Sequence, residues 1–495
     1  MASPKTRPSI EVVLHGFMAG QPLRILAASC WIAAAVLLAA RFAGKAADDF
    51  FITYRYAQNL CAGEGFVFNP GERIFGTTEP GLGLLLALLH STTGISLPIL
   101  GTIVTALCVV ILSVAVLWGM GASKSDQFGA ILGGSLLVAS PFVWIHQGSA
   151  APLVVTLLAL AAILEPKRPT LAGFLAGFSV WCRPDAAIGV GVLLVLAWFE
   201  RRAIPRRFTI CAALMILIGV ACALWYFGVP LPGTLEAKRE IAQRTAIPRA
   251  GISFWPSAWP LWRRTAGPLA FGVVILAVPA LIALTRLGGR AARLLAWNAA
   301  AMALAYPFLG VPFMNWYALA SVVAVTLGLP VLATRAAQFG RVGPPSHRIA
   351  GWPVVALAGA AILSLGIGTL RWLAHPDPPP RQELYERAAA WISQRAEERD
   401  LVAHTEVGTL AYSGRFRMLD LAGLVSPDLI PDLSRGDYRG VLKRHPARFV
   451  LVRGHQSRLA RLVTSNWFAK RYTEAARWTG FRGEVLIAYE RRREP

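Results

Sequence analysis

A polytopic all-α membrane protein, with about eleven transmembrane helices and a small C-terminal α/β domain, is the fold class this chain predicts. Three observations predict it. Of 495 residues, 55% are hydrophobic, and the mean hydropathy is +0.52. Only 15% are charged, against roughly 25% in an ordinary soluble domain. The apolar residues also fall in runs that approach the length of a bilayer-crossing helix, about 20 residues. A soluble chain of this length could not hide so much apolar surface. Disordered, collagen-like and coiled-coil chains are excluded by the same composition. The net charge is +22, from 49 Lys+Arg against 27 Asp+Glu. In a soluble protein that excess would suggest nucleic acid; here membrane topology accounts for it, and no nucleic-acid partner is expected.

The spans are read, in order, at 22–42, 97–118, 128–145, 151–164, 170–182, 186–199, 208–228, 266–285, 294–312, 315–333 and 351–373. The region 151–199 holds three short ones. Gly81–His90 is apolar but too short to cross, and reads as an interfacial or re-entrant helix. The N-terminus, with Lys5, Arg7 and Arg24 around the start of the first run, resembles a signal peptide but lacks a small-residue cleavage site, so it reads as a retained first span. Six cysteines, five of them in apolar runs and none in CxxC spacing, indicate neither a zinc site nor a disulfide framework.

With the N-terminus inside, alternate turns are basic: Lys124; Lys167 and Arg168; Arg201, Arg202, Arg206 and Arg207; Arg286, Arg290 and Arg293; then Arg335, Arg341 and Arg348. That is the positive-inside bias. The loop 229–265 breaks it, with Lys238, Arg239, Arg244, Arg249, Arg263 and Arg264 on the outward side. Either the orientation fails there or those charges face an anionic ligand. The remaining turns face outward and gather the unusual residues: Asp48-Asp49 through Glu79, His146-Gln147, Arg183-Pro184-Asp185, Leu231-Pro232-Gly233-Thr234 with Lys238, and Asn315-Trp316-Tyr317.

The domain division is therefore 1–373, the membrane domain with an outer loop at 43–96, and 374–495, an extracytoplasmic soluble domain. The second part mixes a charged helical pattern near Glu386–Arg399 with strand-like runs at Arg448–Val452 and Glu484–Tyr489. Its 21 Lys+Arg against 15 Asp+Glu would suit an anionic polymer, or merely cover the site. His375–Pro380 is a stiff connector.

The chemistry concentrates in the first outer loop. Asp48–Leu60 has no Gly or Pro and fits a helix near the membrane surface. Adjacent acids at the end of a span are functional candidates, although Asp at a helix start is also a cap worth about 1 kcal/mol. Asp48 and Arg55 share a helix face about 10 Å apart, and could bracket a ligand. Glu79 before Pro80 is a second acid or a cap. Arg183 with Asp185 is a phosphate contact or an internal ion pair. His146 is an interfacial histidine or a ligand, and Trp316 and Tyr317 belong to the aromatic belt or stack on a sugar. Neither GxGxxG after a strand nor GxxxxGK[ST] is present.

The run DDFFITYRYAQNL, followed by GEGFVFNPGERIFGTTEP, resembles the first periplasmic loop of bacterial polyprenyl-phosphate-dependent glycosyltransferases of the GT-C superfamily. The mycobacterial arabinofuranosyltransferase type is the nearest likeness; lipid A aminoarabinose transferases and protein O-mannosyltransferases are more distant. WCRPDA (Trp181–Ala186), LPGTLEAK (Leu231–Lys238) and EVGTLAYSGRFRMLDLAGLVSP (Glu406–Pro427) resemble further motifs of these enzymes, in order along the chain. One position departs: Ala150 stands where many relatives carry Glu.

The resemblance implies a multi-pass enzyme of the bacterial cytoplasmic membrane, its site and C-terminal domain facing the periplasm. It would move a sugar from a polyprenyl-phosphate donor to an envelope glycan, lipid or protein. Asp48 would be the general base, with Asp49 the second choice or an orienting or metal-holding partner; a divalent metal, if one is used, would sit at these acids. Arg183 and Lys238 would hold the departing phosphate. Arg55, Tyr56, Glu79, His146, Asp185, Trp316 and Tyr317 are the other expected substrate contacts. Two rivals stand beside this reading. A transporter or flippase of a lipid-linked sugar should show related halves and mid-span charges. A non-catalytic scaffold would fit the departure at Ala150.

Overall fold

The computed structural model describes residues 21–119, 123–244, 251–267, 269–287, 289–342, 345–375, 381–454, 457–480 and 483–492. Lys5, Arg7, Arg249 and the connector residues 376–380 lie outside them.

Among the described residues, six helices are long and apolar enough to cross a bilayer: Gln21–Phe42, Leu97–Trp118, Lys124–Ile145, Arg206–Phe227, Asn315–Gly340 and Gly351–Ala374. They occupy six of the eleven expected places. The other five hold shorter helices. Ala150–Leu164 has 15 residues, Pro169–Cys182 has 14, and Ala186–Arg201 and Arg290–Ala305 have 16 each. The run at 266–285 is broken at Leu276 into Ala270–Ile275 and Ala277–Thr285. Among the described residues, six of the eleven expected places thus hold a helix that meets the length for a full crossing. A 14-residue helix rises only about 21 Å, less than a hydrocarbon core of about 30 Å. A helix apolar on every side can be buried in protein as well as in lipid, whatever its length. Ala150–Leu164 is such a helix, buried along most of its length. The segment expected to be interfacial is the helix Pro80–Thr93.

Among the described residues three apolar clusters run through the helical part, the smallest joining Val273, Leu329 and Ala361. Of the larger two, one gathers around the Leu97–Trp118 and Leu319–Val342 helices, the other around the first loop and the 150–201 helices. At one end, Glu165 is buried and takes both Arg201 and Arg290, while Glu200 takes Arg290 and Arg293. The basic residues of those turns thus tie three helices together. The 169–182 helix, which ends at Arg183, lies directly on the 206–227 helix; a Cβ on Gly173 would meet the Phe208 carbonyl at 2.5 Å.

The C-terminal part is an α/β unit. Its mixed sheet has strands β1 (Leu401–His404), β2 (Arg417–Asp420), β3 (Phe449–Arg453), β4 (Tyr472–Thr479) and β5 (Val485–Arg491), in the order β2-β1-β3-β5-β4. β1 pairs in parallel with both β2 and β3; β5 runs antiparallel to β3 and β4.

This unit shares its core with the first loop. Ile52, Tyr56, Phe66 and Phe68 pack with Leu384, Tyr385, Val402, Phe416 and Phe449 in one buried cluster. The edge strand β2 would expose unpaired peptide groups. Asn69 covers it: its amide donates to the Met418 carbonyl at 3.0 Å and accepts from the Met418 N–H at 2.9 Å. Glu72 pairs with Arg417 beside it.

Candidate active site

Asp48 and Asp49 open the helix Asp48–Cys61, where the N-terminal dipole favours their charge. They face different partners. The Asp48 carboxylate accepts from the Thr409 N–H at 2.8 Å and the Gly408 N–H at 3.1 Å, at the start of the short helix Gly408–Ser413. The backbones approach so closely that a Cβ on Gly408 would lie 1.9 Å from the Asp48 carbonyl oxygen. Nearby, Glu406 joins Arg381 at 3.2 Å, Arg453 at 2.7 Å and the Tyr385 hydroxyl at 2.6 Å. Burial, and then the charge of Asp48, push Glu406 up to about 7.

Asp49 instead lines a small polar pocket with Thr77, Glu79, Arg183, Thr234 and Lys238. Burial raises its pKa, Lys238 opposes the rise, and Asp48 adds to it. The buried Glu79 carboxylate meets Arg183 at 3.4 Å. Burial raises Glu79 too, while Arg183 and then the Ala150 amide favour its charge. Its Oε2 has no well-formed hydrogen bond, and neither does the buried Thr234 hydroxyl. Such orphaned groups are costly and are suited to a ligand. Arg183 grips Asp185 through two bonds, of 3.1 and 2.5 Å. Burial works against the Asp185 charge, but Arg183 outweighs it and lowers the pKa. The Lys238 ammonium sits over the Trp316 and Tyr317 rings, at 5.5 and 5.7 Å. Cation–π contact leaves its N–H donors free for an anion.

The polar pocket is continuous with larger spaces. It shares Thr78, Arg183, Thr234 and Lys238 with a cavity of about 320 Å³ that also contains Asp185, Tyr306 and Tyr317. That cavity shares Pro184, Leu231 and Pro232 with an apolar groove of about 260 Å³, walled by Trp181, Ile216, Val220, Trp225 and Phe227. Acids, cations and a greasy groove thus lie side by side, in pockets that share wall residues.

Of the expected site residues, Asp49, Glu79, Arg183, Asp185, Lys238, Trp316 and Tyr317 line these connected cavities. Asp48 lies in the seam with the C-terminal unit. Three others use their polar atoms elsewhere. Arg55 donates to the Phe68 carbonyl and to Gln58, so it does not bracket a ligand with Asp48. Tyr56 shapes the loop through the Ile74 carbonyl and the Gly76 N–H. The buried His146 has Nδ1 at 2.7 Å from the Phe142 carbonyl. Their positions beside marked motifs suggested the site; helix rotation and local backbone groups claim them.

Sequence reasoning did not single out Thr77, Tyr306 or Leu424. Tyr306 donates a short hydrogen bond to Asp185, 121 positions away in sequence. Nothing local marks such a pairing. Thr234 was named in its outward turn with Lys238, without a role.

Comparison with known proteins fits this geometry. The chain has the fold of ArnT from Cupriavidus metallidurans. Against the apo crystal structure the TM-score is 0.56 at 14% identity, covering 95% of this chain and 98% of that one. Against ArnT bound to undecaprenyl phosphate it is 0.53 at 13%, covering 93% and 97%. At this identity the likeness shows the fold alone. Residues 372–493 match a domain of unknown function, DUF8728. No curated protein sequence matches the chain.

Proposed function

We propose that the chain is a membrane glycosyltransferase that transfers a sugar from a polyprenyl-phosphate donor to an acceptor hydroxyl of the bacterial envelope, with Asp49 as general base. One observation carries this reading: Asp49, Arg183 and Lys238 line one polar pocket, and Arg183 and Lys238 also line a neighbouring cavity that shares Pro184, Leu231 and Pro232 with an apolar groove. The groove suits a prenyl chain, and undecaprenyl phosphate is what the similarly folded ArnT binds.

The acceptor oxygen attacks the anomeric carbon as the bond from that carbon to the phosphate oxygen breaks. The acceptor proton passes to the Asp49 carboxylate, and the electron pair of the broken bond stays on the polyprenyl phosphate. A phosphate is a good leaving group and needs no proton from a general acid. Arg183 and Lys238 stabilise its growing charge, a contribution largest in a water-poor site. Asp185 and Tyr306 hold Arg183 in place, and Glu79 orients the sugar or Arg183.

Asp48 is assigned a positioning role, because its oxygens are taken by the Thr409 and Gly408 amides. For the same reason the doublet offers no pair of free carboxylates to a divalent cation, and among the described residues no group of three His, Cys, Asp or Glu side chains converges. No step is routed through a metal.

The site is assigned to the periplasmic face of the cytoplasmic membrane. Glu64→Cys and Ala203→Cys, introduced where the exposed Cys30, Cys61 and Cys222 are replaced, should react with an impermeant maleimide from opposite sides. Labelling of both from one side would overturn the orientation. The function itself is tested by giving purified protein a polyprenyl-phosphate sugar and an envelope acceptor, and measuring release of polyprenyl phosphate. The pH profile adds a second test. The base works only when ionised, and burial raises its pKa. The acidic limb of kcat/KM should therefore lie above the ordinary Asp value of about 3.9. In Asp48→Asn the limb should move down, because the Asp48 charge helps hold Asp49 up.

A further inference from the structure

The C-terminal unit carries a second concave site that the reaction above does not use. The turn after the short helix Ile430–Ser434 and the start of the helix Tyr438–Arg444 meet the Ser457–Val463 helix around a cavity of about 520 Å³. Its rim carries Arg435, Arg439 and Arg461, and its wall includes Tyr438 and Leu462. The charge is not balanced from within. Asp437, the acid in the cavity, accepts from the Gly440 N–H at 2.7 Å. Asp432 below it is shared by Arg435 and Arg444. Among the described residues neither Arg439 nor Arg461 has a carboxylate partner within 4.0 Å. Arg439 lies over the Trp467 ring at 5.6 Å, which leaves its N–H groups free.

The position matters as much as the charge. Leu424 lines the Asp49 pocket, Pro427 touches Gly233, and the 430–434 helix packs on the helix Thr234–Arg244 that carries Lys238. The chain thus leads from the reacting centre to the arginine cavity within about a dozen residues.

We infer that this cavity holds an anionic saccharide, phosphate- or carboxylate-bearing, belonging to the acceptor of the transfer reaction. The inference rests on the proposed glycosyltransferase reading and names the acceptor's chemical class. A concave site of this volume falls in the range of small-ligand pockets, about 300–1,000 Å³. Two guanidinium forks without carboxylates match phosphate or carboxylate oxygens. The concave shape suits a compact saccharide better than a flat layer of headgroups.

The test uses the full-length protein in nanodiscs of phosphatidylcholine, titrated calorimetrically with a phosphorylated disaccharide, a uronic-acid disaccharide, a neutral disaccharide and inorganic phosphate. At least one charged disaccharide should bind about tenfold or more tighter than the neutral one. Arg439→Ala/Arg461→Ala should remove that preference, with an unchanged melting temperature because both side chains are exposed. The same variant should raise KM for a charged acceptor more than it lowers kcat. Equal binding of charged and neutral disaccharides would overturn the inference, as would a double variant that binds like the parent. Inorganic phosphate binding as tightly as the phosphorylated disaccharide would remove the saccharide from it. Asp49→Asn should bind the disaccharides normally, so an error in the proposed catalysis leaves this result standing.

Discussion

Asp49→Asn should lower kcat for sugar transfer by 10²–10⁴-fold, roughly the range that general-base catalysis contributes, while leaving folding and donor binding intact. The substitution keeps size and removes the charge that accepts the proton. Asp48→Asn should be milder in kcat, and its effects should be of two kinds. The acidic limb of the pH profile shifts down, and the C-terminal unit docks less firmly, because a neutral amide is a weaker acceptor for the Gly408 and Thr409 N–H groups. Stopped-flow or single-turnover transfer, read alongside limited proteolysis, separates the two. If Asp48→Asn were the dead variant and Asp49→Asn the active one, the assignment of roles would reverse.

The second large effect is expected at Gly408. Its backbone is not in the left-handed region, so an ordinary residue would have no conformational objection to the site. The obstacle is space: a Cβ would meet the Asp48 carbonyl at 1.9 Å and the Ile52 nitrogen at 3.2 Å. Both are backbone atoms that cannot rotate away. Gly408→Ala should therefore cost about 3 kcal/mol, at the upper end of ordinary overpacking, and displace the first turn of the 48–61 helix together with Asp49. Thermal unfolding and transfer activity should fall together. A variant with parental stability and activity would mean that the two helices are not so closely opposed.

Much of this was legible in advance. The apolar runs, the basic turns, the acidic doublet and the Arg-Pro-Asp turn all carry local signals, and the residues they marked largely meet in one space. What was hidden was hidden for physical reasons. Two neighbouring acids on a helix are separated by about 100°, so a motif that names both cannot say which reaches a cavity. That depends on Gly408, some 360 positions later. Arg55, Tyr56 and His146 sit among marked residues, yet nearby backbone carbonyls and amides take their polar atoms. Hydropathy alone does not separate full spans from short buried helices, because it records burial in protein and in lipid alike. Of the C-terminal strands β3 and β5 were foreseen, while the union of the sheet with the first loop was not: Asn69 reads as a turn residue until β2 is seen beside it.

That union sets a rule for engineering. Ile52, Tyr56, Phe66 and Phe68 belong by covalent continuity to the membrane half and by packing to the tail. A chimaera that grafts a foreign tail onto this chain at the connector would strand four large side chains and leave Asp48 without its amides. A graft that carries the 48–79 segment along with its tail keeps both, so the smallest exchangeable module is made of two stretches far apart in sequence.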